Sequence, residues 1–161
     1  LLDPVSLLDC EGEHRAGGVF CLSDPRMVPM VVIESWGDIP EDKHPKYAAV
    51  AREKLNRLAK RPTHSTSHQS RNPEAYIIDS AGNKQPWGKW GGAIRASDWI
   101  ASFSGFPELW DEAAMFVLAI RMGWLDETAT LRRISRSDAR DCSNFLAEES
   151  SLRSSSKTKT T

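Results

Sequence analysis

The sequence predicts an α+β domain in which helices cover a mostly antiparallel sheet. Three observations support this fold class. Short apolar and β-branched runs end at Gly and Pro residues, two amphipathic helical segments interrupt those runs, and several runs lie close enough together for hairpins. The length of 161 residues suits a single domain, and the predicted order is β-β-α-β-β-β-α with a C-terminal appendage.

Five strands are predicted where apolar runs lie between turn residues. Asp24-Pro25 favours a turn between the first two runs, because Pro presets the backbone angle of the second turn position. Ser97-Asp98 separates the last two runs, which are close enough for a tight hairpin. The predicted strands cover residues 19–22, 30–33, 75–79, 93–96 and 99–103.

The first helix is predicted over residues 47–60, and Pro45 just before them suits its first turn. Tyr47, Leu55 and Leu58 fall on one apolar stripe, whereas charged side chains fall on the opposite face. Pro62 ends this pattern. The segment is therefore expected to pack one face against the sheet.

The second helix is predicted over residues 107–122, with Pro107 in its first turn. Its core stripe is strongly apolar, so most of its circumference is expected to be covered. Gly123 ends the helix. Negative charge in the opening turns suits the helix dipole, and it is carried by Glu108, Asp111 and Glu112.

Composition divides the chain into four parts. Residues 1–16 form an irregular N-terminal segment and residues 17–123 form the α+β domain. Residues 124–149 are charged and predict a helical appendage with one short helix near 137–146. Residues 150–161 are rich in Ser, Thr and Lys and bury too little apolar surface to order themselves.

Charge and cysteine content argue against several classes of protein. The net charge of −1 offers no overall attraction for nucleic acid, and no apolar run approaches the roughly 20 residues that cross a bilayer. Acidic residues stand near the N-terminus, where a secretory signal would be basic, and the three cysteines are too scattered for a disulfide framework. We therefore expect a cytoplasmic protein with neither a membrane nor a nucleic-acid partner. Buried or incidental thiols are expected at Cys10, Cys21 and Cys142.

Three parts of this pattern together resemble a known family. A basic helix leads into a Pro- and Ser-rich loop, a Gly-Gly pair opens the fourth predicted strand, and a Ser-Gly stop precedes an Asp-Glu pair in an Ala-rich helix. Over roughly residues 17–123 this arrangement is similar to the haem-binding GlcG/HbpS-like family, also described as the haem-degrading domain. The matching residues are Lys54, Gly91, Gly92, Ser104, Gly105, Asp111 and Glu112.

The chain also departs from the family pattern in the region that lines the pocket of relatives. Its first hairpin lacks the Asp-Gly-Gly turn, and Ala93 rather than Pro precedes Ile94 after the glycine pair. The resemblance implies a profilin-like domain with a five-stranded antiparallel sheet. It also implies assembly into homo-oligomers and, in some members, haem binding or an accessory sensor role.

Five residues are candidates for ligand binding. His64 and His68 could offer imidazoles to a metal or a haem iron, although two solvated loop histidines would give the same pattern. Tryptophans interleaved with cations near residue 90 could line a planar ligand or stack bases, or they could simply cover the sheet. A basic cluster on the first helix could attract an anion or form its solvated face. The candidates are Lys54, His64, His68, Trp90 and Arg95.

The sequence therefore predicts a small ligand-binding or accessory protein, with haem or another planar small molecule as its ligand. No catalytic residues are predicted, because neither a nucleophile elbow, a phosphate-binding glycine loop nor a zinc-ligand quartet is found in the sequence. The alternative is an oligomerisation or protein-interaction module without a ligand. In that case the apolar helix over 107–122 and the tryptophans would form the interface between subunits.

Overall fold

A computed structural model describes residues 17–26 and 32–133, and the statements below concern those residues. Four strands form the main antiparallel sheet and two more form a separate hairpin. In chain order the strands are β1 (Gly17–Ser23), β2 (Val32–Gly37), β3 (Tyr76–Ile78), β4 (Lys84–Pro86), β5 (Ala93–Ala96) and β6 (Trp99–Ser104). The main sheet has the order β2-β1-β6-β5, and β3 pairs with β4.

Three α-helices complete the described fold: α1 (His44–Ala59), α2 (Glu108–Arg121) and α3 (Glu127–Arg133). A short 3₁₀ turn covers Ser67–Ser70. Helix α1 packs against β1, β5 and β6, whereas α2 packs against β5 and β6. The predicted α+β class, with helices on a mostly antiparallel sheet, is confirmed. No helix within these ranges is long and apolar enough to cross a membrane.

The two helices cover opposite faces of the sheet, because side chains alternate along each strand. Val19 and Cys21 pack with α1, while Phe20 between them packs with the cluster that includes α2. The α2 side also gathers an aromatic group in which Phe20 stacks on Trp36 at a ring separation of 4.5 Å. Burial raises the pKa of the Cys21 thiol to about 11, as suits the predicted structural thiol. Cys10 and Cys142 lie outside the described residues.

The count of five strands in one sheet is not confirmed. The predicted strand at 75–79 does form, as β3, but it pairs with β4 in a segment predicted to be a connection. Strand β3 cannot join the main sheet beside β5, because the loop after α1 occupies the outer edge of β5. Thr66 bridges to Ile94, and the Arg95 N–H donates to the Ser65 carbonyl over 2.7 Å.

The second predicted strand, 30–33, overlaps β2 only at residues 32–33, because β2 continues to Gly37 and residues 30 and 31 lie outside the described residues. Several other predicted boundaries are close to the observed ones. The tight hairpin at Ser97-Asp98 forms, with Ala96 opposite Trp99. Helix α2 ends before Gly123, whose N–H donates to the Ile120 carbonyl. Beyond it, the predicted helix near 137–146 lies outside the described residues, but α3 forms earlier in the appendage. Partly buried side chains there pack against the core: Trp124, Leu125 and Leu131.

Candidate ligand-binding site

The centre of the candidate site is a buried ion pair that joins one residue of each long helix. Lys54 of α1 and Asp111 of α2 meet with Nζ and Oδ2 only 2.6 Å apart, and their side chains are 1% and 2% exposed. The Lys54 ammonium also donates to the Phe103 carbonyl over 2.9 Å. Because both charges are removed from water, each depends on these polar partners for its stability.

Asp111 joins the ion pair to the turn that leads from β6 into α2. Its Oδ1 accepts a hydrogen bond from the Phe106 N–H over 2.9 Å. Burial raises the pKa of Asp111 to about 6, although Lys54 and the N–H groups of Phe106 and Gly105 oppose that rise. Asp111 therefore connects the turn before α2 to Lys54, and it also balances the positive charge of Lys54.

This pKa predicts how stability depends on pH. The folded-state pKa of about 6 exceeds the usual 3.8, so folding favours the protonated carboxyl. The resulting stabilisation is complete below about pH 4 and is lost as pH rises through about 6. Urea denaturation of Asp111→Asn and the unmodified chain should show the variant gaining relative stability between pH 4 and 7. A relative loss would contradict the prediction.

Glycines allow the backbone to approach this ion pair closely. A Cβ atom on Gly92 would lie 2.7 Å from both the Lys54 Nζ and the Asp111 Cβ. A Cβ on Gly105 would lie 2.4 Å from the Gly17 carbonyl oxygen, at the crossing of β1 and the β6–α2 turn. The glycines predicted as structural motif residues therefore leave the space in which the elements around the site meet.

Carboxylates at the start of α2 bind the backbone of residues 91–92, which we call the glycine segment. Glu108 Oε2 accepts from the Gly91 N–H over 2.9 Å, and Glu112 Oε2 accepts from the Gly92 N–H over 3.4 Å. Arg71 forms an ion pair with Glu108. The acidic first turns that the sequence predicts thus act as acceptors for the Gly-Gly backbone, in addition to complementing the helix dipole.

A cavity of about 620 Å³ lies beside the ion pair. Its wall includes the first half of α1, the chain after β2 and the β6–α2 turn. This volume falls in the range of small-molecule sites. The lining residues that carry the argument are Tyr47, Val50, Lys54, Trp90, Phe106 and Asp111.

The cavity wall combines aromatic and charged side chains. Tyr47, Trp90 and Phe106 supply flat apolar surface, and Lys46 and Asp38 also line the wall. Among the described residues neither Lys46 nor Asp38 has an ion-pair partner, so their charges remain available to a ligand. The wall thus offers apolar faces together with cationic and anionic groups, and it is more charged than the mostly apolar wall of a typical small-molecule site.

Arg57 holds the backbone of Trp90 in place by a hydrogen bond to its carbonyl. Its guanidinium donates to the carbonyls of Trp90 and Ser67, each over 2.5 Å, and pairs with Glu53 at 2.7 Å. These bonds tie the 3₁₀ turn and the glycine segment to α1. Arg57 belongs to the predicted basic cluster, but here it supports the structure and is only partly exposed.

The structure brings some of the predicted site residues together and leaves others apart. Lys54, Trp90, Ser104, Gly105 and Asp111 all line the cavity. The glycine pair at 91–92 adjoins it through the contacts described above. The ion pair between two helices could not be read from the sequence pattern, although both partners belong to the motif matched to the family.

Arg95, His64 and His68 are not among the residues that line the cavity. Arg95 caps the end of α1 by donating to the Leu58 carbonyl over 2.8 Å. His68 Nδ1 lies 3.8 Å from Glu108 Oε1, and His64 lies in the loop after α1, where its carbonyl accepts from Arg95 Nε over 3.3 Å. The described residues contain no group of three or more His, Cys, Asp or Glu side chains placed for a metal ion.

Several residues of the cavity wall were not predicted as site residues. Tyr47 was assigned only to the apolar stripe of α1, and Lys46 beside it carried no distinctive pattern. The chain after β2, which contributes Asp38 to the wall, was not predicted to belong to a site. Pro45 does place both residues in the first turn of α1, but that position alone does not indicate a ligand site.

Comparison with family models, curated proteins and solved structures finds no match to this chain.

Proposed function

We propose that this chain binds a small planar organic molecule in the cavity between α1 and the β6–α2 turn. The observation that carries the proposal is a cavity of about 620 Å³ whose wall places aromatic side chains beside charged groups. Tyr47 and Trp90 provide flat surfaces for stacking, and Lys46 provides a cation for an acidic substituent. A rigid wall favours affinity, because Arg57 and the buried ion pair already hold these segments in place.

The wall also bears on haem, the ligand that the family resemblance implies. Haem iron takes an axial ligand such as His, Cys, Met or Tyr. Among the described residues that line the cavity, Tyr47 is the only one of these types. Ligation by His64 or His68 therefore does not fit this cavity, and the proposal rests on a planar ligand rather than on an iron centre.

A cavity-filling substitution tests the proposal. Val50 lines the cavity, while its neighbour Ala49 is exposed and does not line it. Val50→Trp should weaken binding of the aromatic anion 8-anilinonaphthalene-1-sulfonate at least tenfold, because the added ring occupies the ligand's volume. Ala49→Trp, the matched control, should stay within twofold. Quenching of tryptophan fluorescence measures both, since Trp90 lines the same wall.

The outcomes of this titration separate the ligand classes. Absence of saturable binding, or equal loss in both variants, would reject the cavity as the site. Hemin is titrated in parallel and followed by its Soret band. A band shift that persists in His64→Ala and His68→Ala but disappears in Val50→Trp places haem in the cavity. A shift lost with either histidine would place haem elsewhere and contradict this part of the proposal.

A further inference from the structure

The hairpin of β3 and β4 exposes an unusual amount of apolar surface. Tyr76, Ile77 and Ile78 are 51%, 40% and 56% exposed, and the adjoining Trp87 is 46% exposed. A hairpin of two strands is marginally stable in water by itself and gains stability from a further strand or a packed layer. Exposed apolar patches on soluble proteins commonly mark interaction surfaces.

The hydrogen bonds of the hairpin show which backbone groups of β3 face outward. Trp87 N–H donates to the Ala75 carbonyl, and Asp79 N–H donates to the Asn83 carbonyl over 2.9 Å. Antiparallel ladders alternate, so residues 75, 77 and 79 face β4. The backbone N–H and C=O groups of Tyr76 and Ile78 therefore point away from β4, and within the described chain no other hydrogen bond occupies them.

The opposite edge of the hairpin is much less able to pair. By the same alternation, the outward positions of β4 are Lys84 and Pro86, which face Ile78 and Tyr76 across the ladder. Pro86 has no N–H to donate, and a charged Lys on an edge strand discourages pairing. An added strand would consequently bind along β3.

We propose that β3 pairs with β3 of a second copy of this chain, antiparallel, about a two-fold axis at Ile77. The register is self-complementary, because Tyr76 of one copy then lies opposite Ile78 of the other. Their outward N–H and C=O groups form four hydrogen bonds in total, and the apolar side chains of the two strands meet on both faces. The product is a four-stranded sheet with the isologous contact expected of a two-fold dimer.

The charges along β3 are compatible with this register, and the small area of the contact limits the affinity of the dimer. Asp79 comes opposite Ala75 of the other copy, and Glu74 comes opposite Ser80, so no like charges face each other directly. Lys84 lies over the Tyr76 ring at 4.3 Å, and as a residue of β4 it lies away from the contact between the two copies of β3. Three residues of strand bury well under the roughly 800 Å² per partner of a standard interface, so the dimer is expected to be weak and to dissociate on dilution.

Cysteine cross-linking tests the register. In this pairing Ile77 of the two copies forms a non-hydrogen-bonded pair with Cα atoms about 4.5 Å apart, which a disulfide can span. Chains of all 161 residues with Cys10→Ser and Cys142→Ser carry either Ile77→Cys or Ile78→Cys, and Cys21 is buried. Under mild oxidation Ile77→Cys should give at least tenfold more disulfide dimer, because position 78 lies opposite 76 and not its own equivalent. Equal or absent cross-linking of both variants overturns the register.

Sedimentation velocity across a hundredfold dilution tests the surface without a cross-link. Ile78→Lys should shift the monomer–dimer equilibrium at least tenfold toward monomer. Val32→Lys is the matched control, since Val32 is 50% exposed on the edge strand β2, and it should leave the equilibrium within twofold. A chain that is monomeric at every concentration overturns the proposal. Dissociation caused by Val32→Lys but not by Ile78→Lys overturns it too, and assigns the contact to β2.

Discussion

Replacing Lys54 with Met should lower the free energy of unfolding by about 3–5 kcal/mol at pH 7. The substitution keeps a long unbranched side chain but leaves the Asp111 carboxylate buried without its counter-ion at 2.6 Å. The Phe103 carbonyl also loses its donor. Urea denaturation measures the loss, and Lys60→Met serves as the control, because Lys60 is exposed at the end of the same helix and its replacement should cost no more than about 0.5 kcal/mol.

The double variant Lys54→Met, Asp111→Leu decides what the ion pair contributes. Replacing a whole buried pair with apolar residues is often neutral or stabilising, because two desolvation costs disappear together. The double variant should therefore recover part of the stability lost in Lys54→Met, although the Phe106 N–H then lacks its acceptor, and the double-mutant cycle should give a coupling of several kcal/mol. Additive losses would instead show that packing around Lys54, rather than pairing of the charges, accounts for the effect.

The sequence predicts local structure here more successfully than it predicts long-range contacts. The β5–β6 hairpin follows from two apolar runs separated by Ser97-Asp98, and α2 follows from Pro107 with acidic residues behind it. Each of these features depends on neighbours within a few positions. The bond between Lys54 and Asp111 joins residues 57 apart in the chain, and no spacing rule relates them.

The remaining differences have specific physical causes. Strand β3 was predicted from its apolar composition, yet composition does not show which sheet a strand joins. The loop at Ser65 and Thr66 fills the available edge of β5 with backbone hydrogen bonds, which a polar sequence does not reveal. Arg95 was likewise a candidate for ligand binding, but its guanidinium donates to the Leu58 carbonyl at the end of α1.

The sequence also could not distinguish two roles of the acidic residues at the start of α2, namely complementing the helix dipole and binding specific partners. Acidic residues in a first helical turn are explained sufficiently by the helix dipole. In the fold, Glu108 and Glu112 accept hydrogen bonds from the glycine segment, and Asp111 binds a lysine from the opposite side of the sheet. The cavity arises from the same convergence, so its wall could be assigned only once the elements were placed together.

Gly92→Ala should destabilise the fold by about 3–5 kcal/mol, from two causes that act together. Gly92 has φ of +114°, a region that side chains of L-residues rarely adopt. An added methyl group would also lie 2.7 Å from the Lys54 ammonium and from the Asp111 Cβ, neither of which can withdraw into solvent. Relief of the contact would require the ion pair to separate, which exposes both charges to an apolar interior.

Gly82→Ala separates these two causes. Gly82 also has a positive φ, +83°, but nothing lies within 4 Å of the position where its Cβ would be. Its replacement should therefore cost only the backbone term, about 1–2 kcal/mol. The excess loss in Gly92→Ala measures the crowding of the ion pair. It should shrink in part when Lys54 is also replaced by Ser, which removes the contact with the ammonium but not the contact with the Asp111 Cβ. Equal losses in the two glycine variants would mean that backbone conformation alone requires glycine at 92, and that the close approach to Lys54 and Asp111 adds nothing.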